Sequence, residues 1–236
     1  LVSGSIDVAI AGGMESMSQV PFLAKGVRAG LNLGHGEMVD SLIQDGLWDP
    51  YHNQHMGNCA ELCARELNIS REEQDNYTIM SYERSLKAIQ DGLFQNEIVP
   101  CEVLKKKKME LIEEDEEPFK VKFDKISSLR PVFDKKGSVT AANASTINDG
   151  AAALVMMTGS QALKLGMKPL VKVVSYAGAA QEPQWFTTAP IPAINKALDK
   201  AGWSCDDVDL FEINEAFSVV SIAAQRELKI PKDKLN

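Results

Sequence analysis

The sequence predicts an α/β fold built in layers, and two observations carry that expectation. After Gly137 come four strand-like runs, "SVTAANAS", "AAALVMM", "LVKVVSYA" and "DVDLFEI". The last three are separated by "GSQALKLG" and "IPAINKALDKAG", which have helical spacing and end on Gly. Strand, helix, strand, helix, strand and a further helix, in that order, imply parallel strands joined by crossover helices. The second observation is the opening stretch "LVSGSIDVAIAGGMESMS". It reads as a helix end, a strand from Ile6 to Ile10, and Gly12-Gly13 in a tight turn. The strand is almost continuously apolar, as in a sheet covered on both faces.

The elements between these two parts follow in order. From Val20 to Pro50 five glycines break any long period, so loop with short helices is expected. "HMGNCAELCARELN" is apolar at helical spacing and reads as a helix. "SREEQDNYTIMSYERSLKAIQDG" reads as a second helix, with Ser70 and Glu73 as a capping-box pair and Gly92 as its stop. "KKKKMELIEEDEE" sets a basic run against an acidic one and reads as a solvated hairpin or loop. Residues 20–139 therefore look like a helical and loop-rich insertion between pieces of a layered scaffold.

Composition narrows the function classes. A chain of 236 residues with 44% hydrophobic content can bury a sizeable core. Its formal net charge of −8 argues against nucleic acid or an anionic membrane as the main partner, since both need clustered positive charge. No apolar run approaches the 18 to 20 residues, roughly, of a membrane span. The four cysteines, Cys59, Cys63, Cys101 and Cys205, form no CxxC pair and no metal pattern with His35, His52 or His55. Cys59 and Cys63, four apart, share one helix face and read as core packing in a reducing compartment.

One corner stands out. In "FEINEAFSVVS", residues 211–221, a buried-looking strand runs into polar Asn214 and Glu215, and an apolar helix follows. Asn is a favoured N-cap, so Asn214 reads first as the cap of that helix.

Four motifs in order, "DVAIAGGMESMS", "NQHMGNCAE", "TAANASTINDGAAALVMM" and "FEINEAFSVVS", resemble the thiolase family across essentially the whole chain. The resemblance implies the layered αβαβα thiolase fold, incomplete here at both ends. Residues 1–19 would close the N-terminal α/β half, 20–139 would be the inserted CoA-binding loop domain, 140–168 would return to the first half, and 169–236 would begin the C-terminal half. It implies acetyl-CoA C-acetyltransferase chemistry: the Claisen condensation of two acetyl-CoA to acetoacetyl-CoA and CoA, and the reverse thiolysis, by a covalent acyl-cysteine.

The resemblance also assigns residues. Asn214 would hold a water that helps stabilise a substrate oxyanion, besides capping its helix. His55 and Met56 would line the acyl and pantetheine pocket and favour short acyl chains. Ser145 would hydrogen-bond pantetheine, and Phe217 would lie beside the substrate. Lys120, Lys122 and Lys125, with Val121 contributing backbone, would meet the adenosine and phosphate end of CoA from an extended segment. Tyr82 would line the site and join the backbone of Ala141, Ala142 and Ala144 around a potassium ion, the mark of the mitochondrial type; no covalently bound cofactor is implied. The full enzyme would be a homo-oligomer, a tetramer, in mitochondria or alternatively in the cytoplasm. The family's nucleophilic cysteine loop, its Gly-His-Pro motif and its second reactive cysteine have no counterpart among these residues, and His35 in "GHG" reads as a surface residue. The chain is thus expected to be an internal, inactive fragment of a longer enzyme. Two alternatives stand beside that reading: a non-catalytic CoA-binding or subunit-binding relic, and part of a degradative 3-ketoacyl-CoA thiolase.

Overall fold

A computed structural model describes residues 1–236. In chain order the elements are β1 (Val8–Ser16), β2 (Phe22–Ala24), β3 (Met38–Asp40), β4 (Trp48–Asp49), β5 (Gln54–His55), α1 (Met56–Glu66) and α2 (Arg71–Gln90). Then come β6 (Cys101–Lys105), β7 (Lys108–Ile112), α3 (Phe123–Ile126), β8 (Asp149–Met157), α4 (Gly159–Lys164), α5 (Pro190–Ala201) and α6 (Ser218–Leu228). The chain divides into two compact units, each assembled from separate stretches: residues 1–56, 147–179 and 193–204 form the first, and 57–146, 180–192 and 205–236 the second.

The first unit is organised by β1 and β8, paired antiparallel over their whole length from Val8↔Met157 to Ser16↔Asp149. At the far end of this ribbon the Asp149 carboxylate accepts the Ser18 N–H at 2.9 Å and its hydroxyl at 2.5 Å. Those bonds hold the Asp149 carboxyl below its usual range and lock the register where the ladder stops. The short pairs β2–β3 and β4–β5 complete the strand content of this unit. Residues 193–201 of α5 meet the stretch 175–178 through polar contacts, the Ser175 hydroxyl donating to the Ala197 carbonyl at 2.7 Å and Lys200 to that of Tyr176 at 3.0 Å.

The second unit holds most of the buried core. Helix α1 buries Cys59, Ala60, Cys63 and Ala64, and α6 buries an unbroken run from Ser218 to Ala224. Helix α2 opens with the expected capping box: Ser70 accepts the Glu73 N–H at 3.2 Å while Glu73 accepts the Ser70 N–H at 3.0 Å. Gly92 just beyond its end has a φ of 66°, a conformation open to glycine because it has no Cβ. The basic and acidic run forms the hairpin β6–β7, turned by Lys106 and Lys107, both at positive φ, as a two-residue hairpin loop of primed type requires. No helix is long and apolar enough to cross a membrane.

Several local expectations are corrected. Gly12 and Gly13 make no turn, because β1 runs straight through them. Gly12 is there for closeness instead: a Cβ on it would run into the backbone carbonyl of Ala152 on β8. Of the four runs after Gly137, only 149–157 is a ladder strand. "LVKVVSYA" pairs with nothing and leaves Leu170 and Val171 exposed. "DVDLFEI" makes one parallel bridge, Phe211↔Leu235, and "SVTAANAS" one antiparallel bridge, Ala144↔Phe217. The parallel ladders expected across α4 and α5 therefore do not form within either unit, and the parallel pairing that does form, 211–213 beside 234–236, crosses over through α6. A strand is defined by its neighbour's hydrogen bonds, and apolarity alone supplies none. The lysine stretch is likewise not extended throughout, since residues 123–126 make one turn of helix.

Candidate functional site

The site grows from the segment 211–217. Phe211 and Ile213 are buried, and Glu212 and Asn214, each following one of them, are exposed, the two-residue alternation of extended chain. This segment lies beside the stretch 234–236, with Phe211 N–H donating to the Lys234 carbonyl at 2.7 Å and Asn236 N–H to that of Phe211 at 2.8 Å. Leu235, almost fully buried, is the apolar partner. Asn214 is thus exposed, and it lines a cavity of about 510 Å³ together with Ser81, Arg84, Phe94, Glu212 and Glu215. Arg84, which also lines this cavity, ties α2 to the end of the chain, donating to the backbone carbonyls of Lys232, at 3.0 Å, and Leu235.

The corner residue Asn214 is not the helix cap. Helix α6 begins at Ser218, with Phe217 in the capping position and no side-chain cap. The first helical N–H, that of Ser218, donates instead to the Asn143 carbonyl at 2.9 Å. A backbone acceptor from another segment has taken over the work expected of the Asn214 side chain. Phe217 itself is buried, edge-on to Phe133 at 6.1 Å and tilted against Phe186 at 6.4 Å.

The stretch 138–146 is built to meet this turn. Its entry is fixed by the buried Glu61 of α1, whose carboxylate accepts the Ser138 N–H at 2.8 Å and the Val139 N–H at 2.8 Å. Gly137 is required at the approach, since a Cβ there would strike that carboxylate. Buried Asn143 then folds the loop on itself, accepting the Thr140 N–H at 2.7 Å and donating to the Ser138 carbonyl at 3.1 Å. As a result Ser145 is exposed, and its N–H donates to the Ala216 carbonyl at 3.0 Å. Sequence positions 145 and 214, nearly seventy residues apart, are thereby joined through one backbone bond to the neighbour of each other's segment.

Tyr82 projects from α2 and donates its hydroxyl to Glu117 at 3.2 Å, with Phe123 edge-on at 6.5 Å. Burial and the Glu117 carboxylate push its phenol up to about 12, so it keeps its proton at neutral pH. This places Tyr82 beside the lysine stretch. Within that stretch Lys120 is bound to Glu116 at 2.9 Å, and Lys125 lies 3.7 Å from Asp124. Lys120, Lys122 and Lys125 are all exposed and Val121 is half-buried, so the lysines form a mixed-charge surface. Ala141 is exposed, and Ala142 and Ala144 are half-buried.

His55 and Met56 belong to the first unit and are half-buried at the end of β5 and the start of α1. Burial lowers the His55 pKa, which favours the neutral imidazole at neutral pH. Cys63 is no nucleophile: it is fully buried, and burial pushes its thiol up. His35 is exposed, as expected.

Sequence reasoning missed the residues that hold the turn. The Tyr77 hydroxyl donates to Glu215 Oε1 at 3.0 Å and the Ser81 hydroxyl to Glu215 Oε2 at 2.7 Å. Their spacing of four along α2 was the available signal, since it places two hydroxyls on one helix face. Glu61 gave no such signal, because the backbone groups it holds, at Ser138 and Val139, lie far along the chain, a separation that local patterns do not carry.

Comparison with known proteins agrees with this arrangement. Residues 1–160 match the family described as thiolase, N-terminal domain, and residues 167–236 that described as thiolase, C-terminal domain. An acetyl-CoA acetyltransferase of Yarrowia lipolytica is 50% identical over 99% of this chain and 58% of its own length. The mitochondrial acetyl-CoA acetyltransferase of Bos taurus is 47% identical over 100% of the chain and 56% of its own length. The crystal structure of the Bacillus anthracis acetyl-CoA acetyltransferase superposes with a TM-score of 0.94 at 40% identity, over 99% of this chain and 59% of that one. The chain therefore has the layered thiolase fold in part and spans under two thirds of the length of the relatives it matches. With its motifs, its fold and both domain matches in agreement, the chain belongs to the thiolase family.

Proposed function

We propose that this chain is part of an acetyl-CoA C-acetyltransferase, which condenses two acetyl-CoA into acetoacetyl-CoA and CoA and runs the reverse thiolysis. The observation that carries this reading is the turn at 214–217, where Asn214 lines an open cavity and the next carbonyl but one is bonded to Ser145. In that chemistry a cysteine thiolate attacks one acetyl-CoA and expels CoA, which leaves as the protonated thiol. A second cysteine, outside these residues, removes an α-proton of the other acetyl-CoA, and the resulting carbanion attacks the acyl-enzyme, forming the carbon–carbon bond as the first thiolate leaves. Asn214 serves the step by holding a water against the developing oxyanion, a role of the kind for which fixed donors are effective. An exposed amide on a turn braced from both sides suits it.

The remaining assignments follow from chemistry. Ser145, exposed at the bridge, binds the pantetheine arm, and Phe217 backs the site from its aromatic cluster. His55 and Met56 bound the acyl end, with neutral His55 compatible with an apolar thioester. Lys120, Lys122 and Lys125, beside the Val121 backbone, take the phosphate end of CoA; the carboxylates already paired to Lys120 and Lys125 make that contact modest. Potassium is proposed at Tyr82 and the carbonyls of Ala141, Ala142 and Ala144. A protonated phenol oxygen and backbone carbonyls are the hard donors such an ion takes, and Glu117 beside Tyr82 supplies negative charge. We further propose a mitochondrial enzyme, in line with the name of the Bos taurus relative, and a homotetrameric one, as the family resemblance implies.

The test is a chimaera in which the Yarrowia lipolytica relative supplies the remaining length. Thiolysis of acetoacetyl-CoA in excess over a long-chain 3-ketoacyl-CoA is expected. Equal activity on both substrates moves the protein to the degradative class, and a folded chimaera that binds CoA without turnover makes it a non-catalytic relative.

A further inference from the structure

We propose that Glu215 is a positioning residue for Asn214, and that the hydroxyl pair of Tyr77 and Ser81 is the device that fixes it; this rests on the role proposed for Asn214. Both carboxylate oxygens of Glu215 are engaged, Oε1 by Tyr77 at 3.0 Å and Oε2 by Ser81 at 2.7 Å. The donors sit four residues apart on α2, so one helix face offers two hydroxyls in a spacing that a single carboxylate spans. Tyr77 is buried, and burial pushes its phenol well above the usual range, with Ser221 opposing and the Glu215 carboxylate adding to the rise. It therefore remains a donor at neutral pH.

The neighbours of Asn214 receive all the bracing that the turn has. Before it, Ile213 is buried and donates its N–H to the Asn236 carbonyl at 3.3 Å. After it, Glu215 is clamped to α2, and the Ala216 carbonyl takes the Ser145 N–H. Asn214 is exposed between two fixed residues, and its direction is set by theirs. The same clamp acts one residue further on: by fixing Glu215 it fixes the carbonyl on which Ser145 hangs. The oxyanion donor and the pantetheine serine thus share one mechanical support, a rigid helix, as sites need whose supporting groups must hold within fractions of an ångström. The geometry requires a carboxylate of this length. Aspartate, one methylene shorter, reaches one hydroxyl at most, and glutamine presents an amide N–H₂ where two donors already point.

The experiment uses the chimaera described above. Glu215→Gln is expected to lower kcat about ten- to a hundredfold at nearly constant KM, the scale of loss from a misplaced catalytic group. Ser81→Ala should show part of the same loss and Ser81→Thr, which keeps the hydroxyl, should restore it. In an Asn214→Ala background Glu215→Gln should then cost nothing further. Full additivity of the two losses, or an unchanged kcat in Glu215→Gln, overturns the proposal. If Asn214→Ala is itself fully active, the role given to Asn214 fails, and amide hydrogen exchange judges Glu215 alone. Faster exchange at Ser145 and Ser218 in Glu215→Gln than in wild type supports the clamp, and unchanged exchange overturns it.

Discussion

The β1–β8 ribbon and the packing of α2 on α6 are held together in opposite ways. In the ribbon of this chain, nine residue pairs stand in antiparallel register, alternate ones hydrogen-bonded, while large apolar side chains stay in the open: Ile10 is 78% exposed, Met14 81% and Leu154 69%. In the helical region the apolar side chains are gone from solvent, with Val219 and Ala224 at 0%, and the polar groups that remain are charged pairs and clamps such as Arg226 on Glu73 and Tyr77 on Glu215. The lesson concerns where sequence change is felt. A ladder depends on how closely two backbones approach, and a helix pair depends on which side chains fill the space between.

The largest expected effect lies on the functional side of that contrast. In the chimaera, Asn214→Ala should lower kcat by about 10² to 10³ while the acyl-CoA dissociation constant stays nearly unchanged, the usual loss for an oxyanion donor. Because Asn214 caps no helix, the melting temperature should hardly move; steady-state kinetics beside calorimetry decide it. A destabilised variant with full activity would return Asn214 to a structural role.

Next comes the packing contrast itself. Ile222→Ala, at a side chain 5% exposed in α6, should cost about 3 kcal/mol of stability through lost burial and the cavity left behind. Leu154→Ala on the ribbon should stay within about 0.5 kcal/mol, as exposed substitutions do. Urea unfolding of the two variants measures both, and equal losses would erase the distinction between the two regions. Within the ribbon the order reverses for glycines. Gly12→Ala drives a methyl into the Ala152 carbonyl and should cost about 1 to 3 kcal/mol, while Gly13→Ala meets open space and should be near neutral. Equal tolerance at both positions, by the same unfolding assay, would show that close approach does not govern the ladder.

The smallest effect is a pH dependence. Hydrogen bonds from the Ser70 backbone and from Arg226 hold the Glu73 carboxyl below its ordinary range. Its stabilising contribution is therefore complete above the ordinary glutamate pKa, about 4.3, and fades as pH falls through the lowered value in the fold. Glu73→Gln should flatten that acid limb of the stability curve slightly, read from melting temperatures between neutral and acid pH. Since the pair is largely solvated, the change should be small.

The elements that the sequence shows plainly are those whose signal is local. The capping box at Ser70 and Glu73, the stop at Gly92, the hairpin of the lysine run and the helices α1, α4 and α5 each depend on residues within a few positions of one another. Of the motif residues, Tyr82, Ser145 and Asn214 fall in the second unit, and His55 and Met56 in the first. What misled was any reading that needed a distant partner. "LVKVVSYA" has the composition of a strand and no ladder, and Gly12-Gly13 has that of a turn and none of its geometry.

By itself, then, the sequence determined the main helices, α1, α2 and α6 among them, which corner is chemically unusual and to which family the chain belongs. Tertiary structure alone decided that Ser218 is capped by the Asn143 carbonyl, that Glu61 holds the loop leading to Ser145, and that Tyr77 and Ser81 clamp Glu215. The physical reason is that a buried backbone N–H or a carboxylate must find a partner somewhere, but nothing in its own neighbourhood of sequence says where.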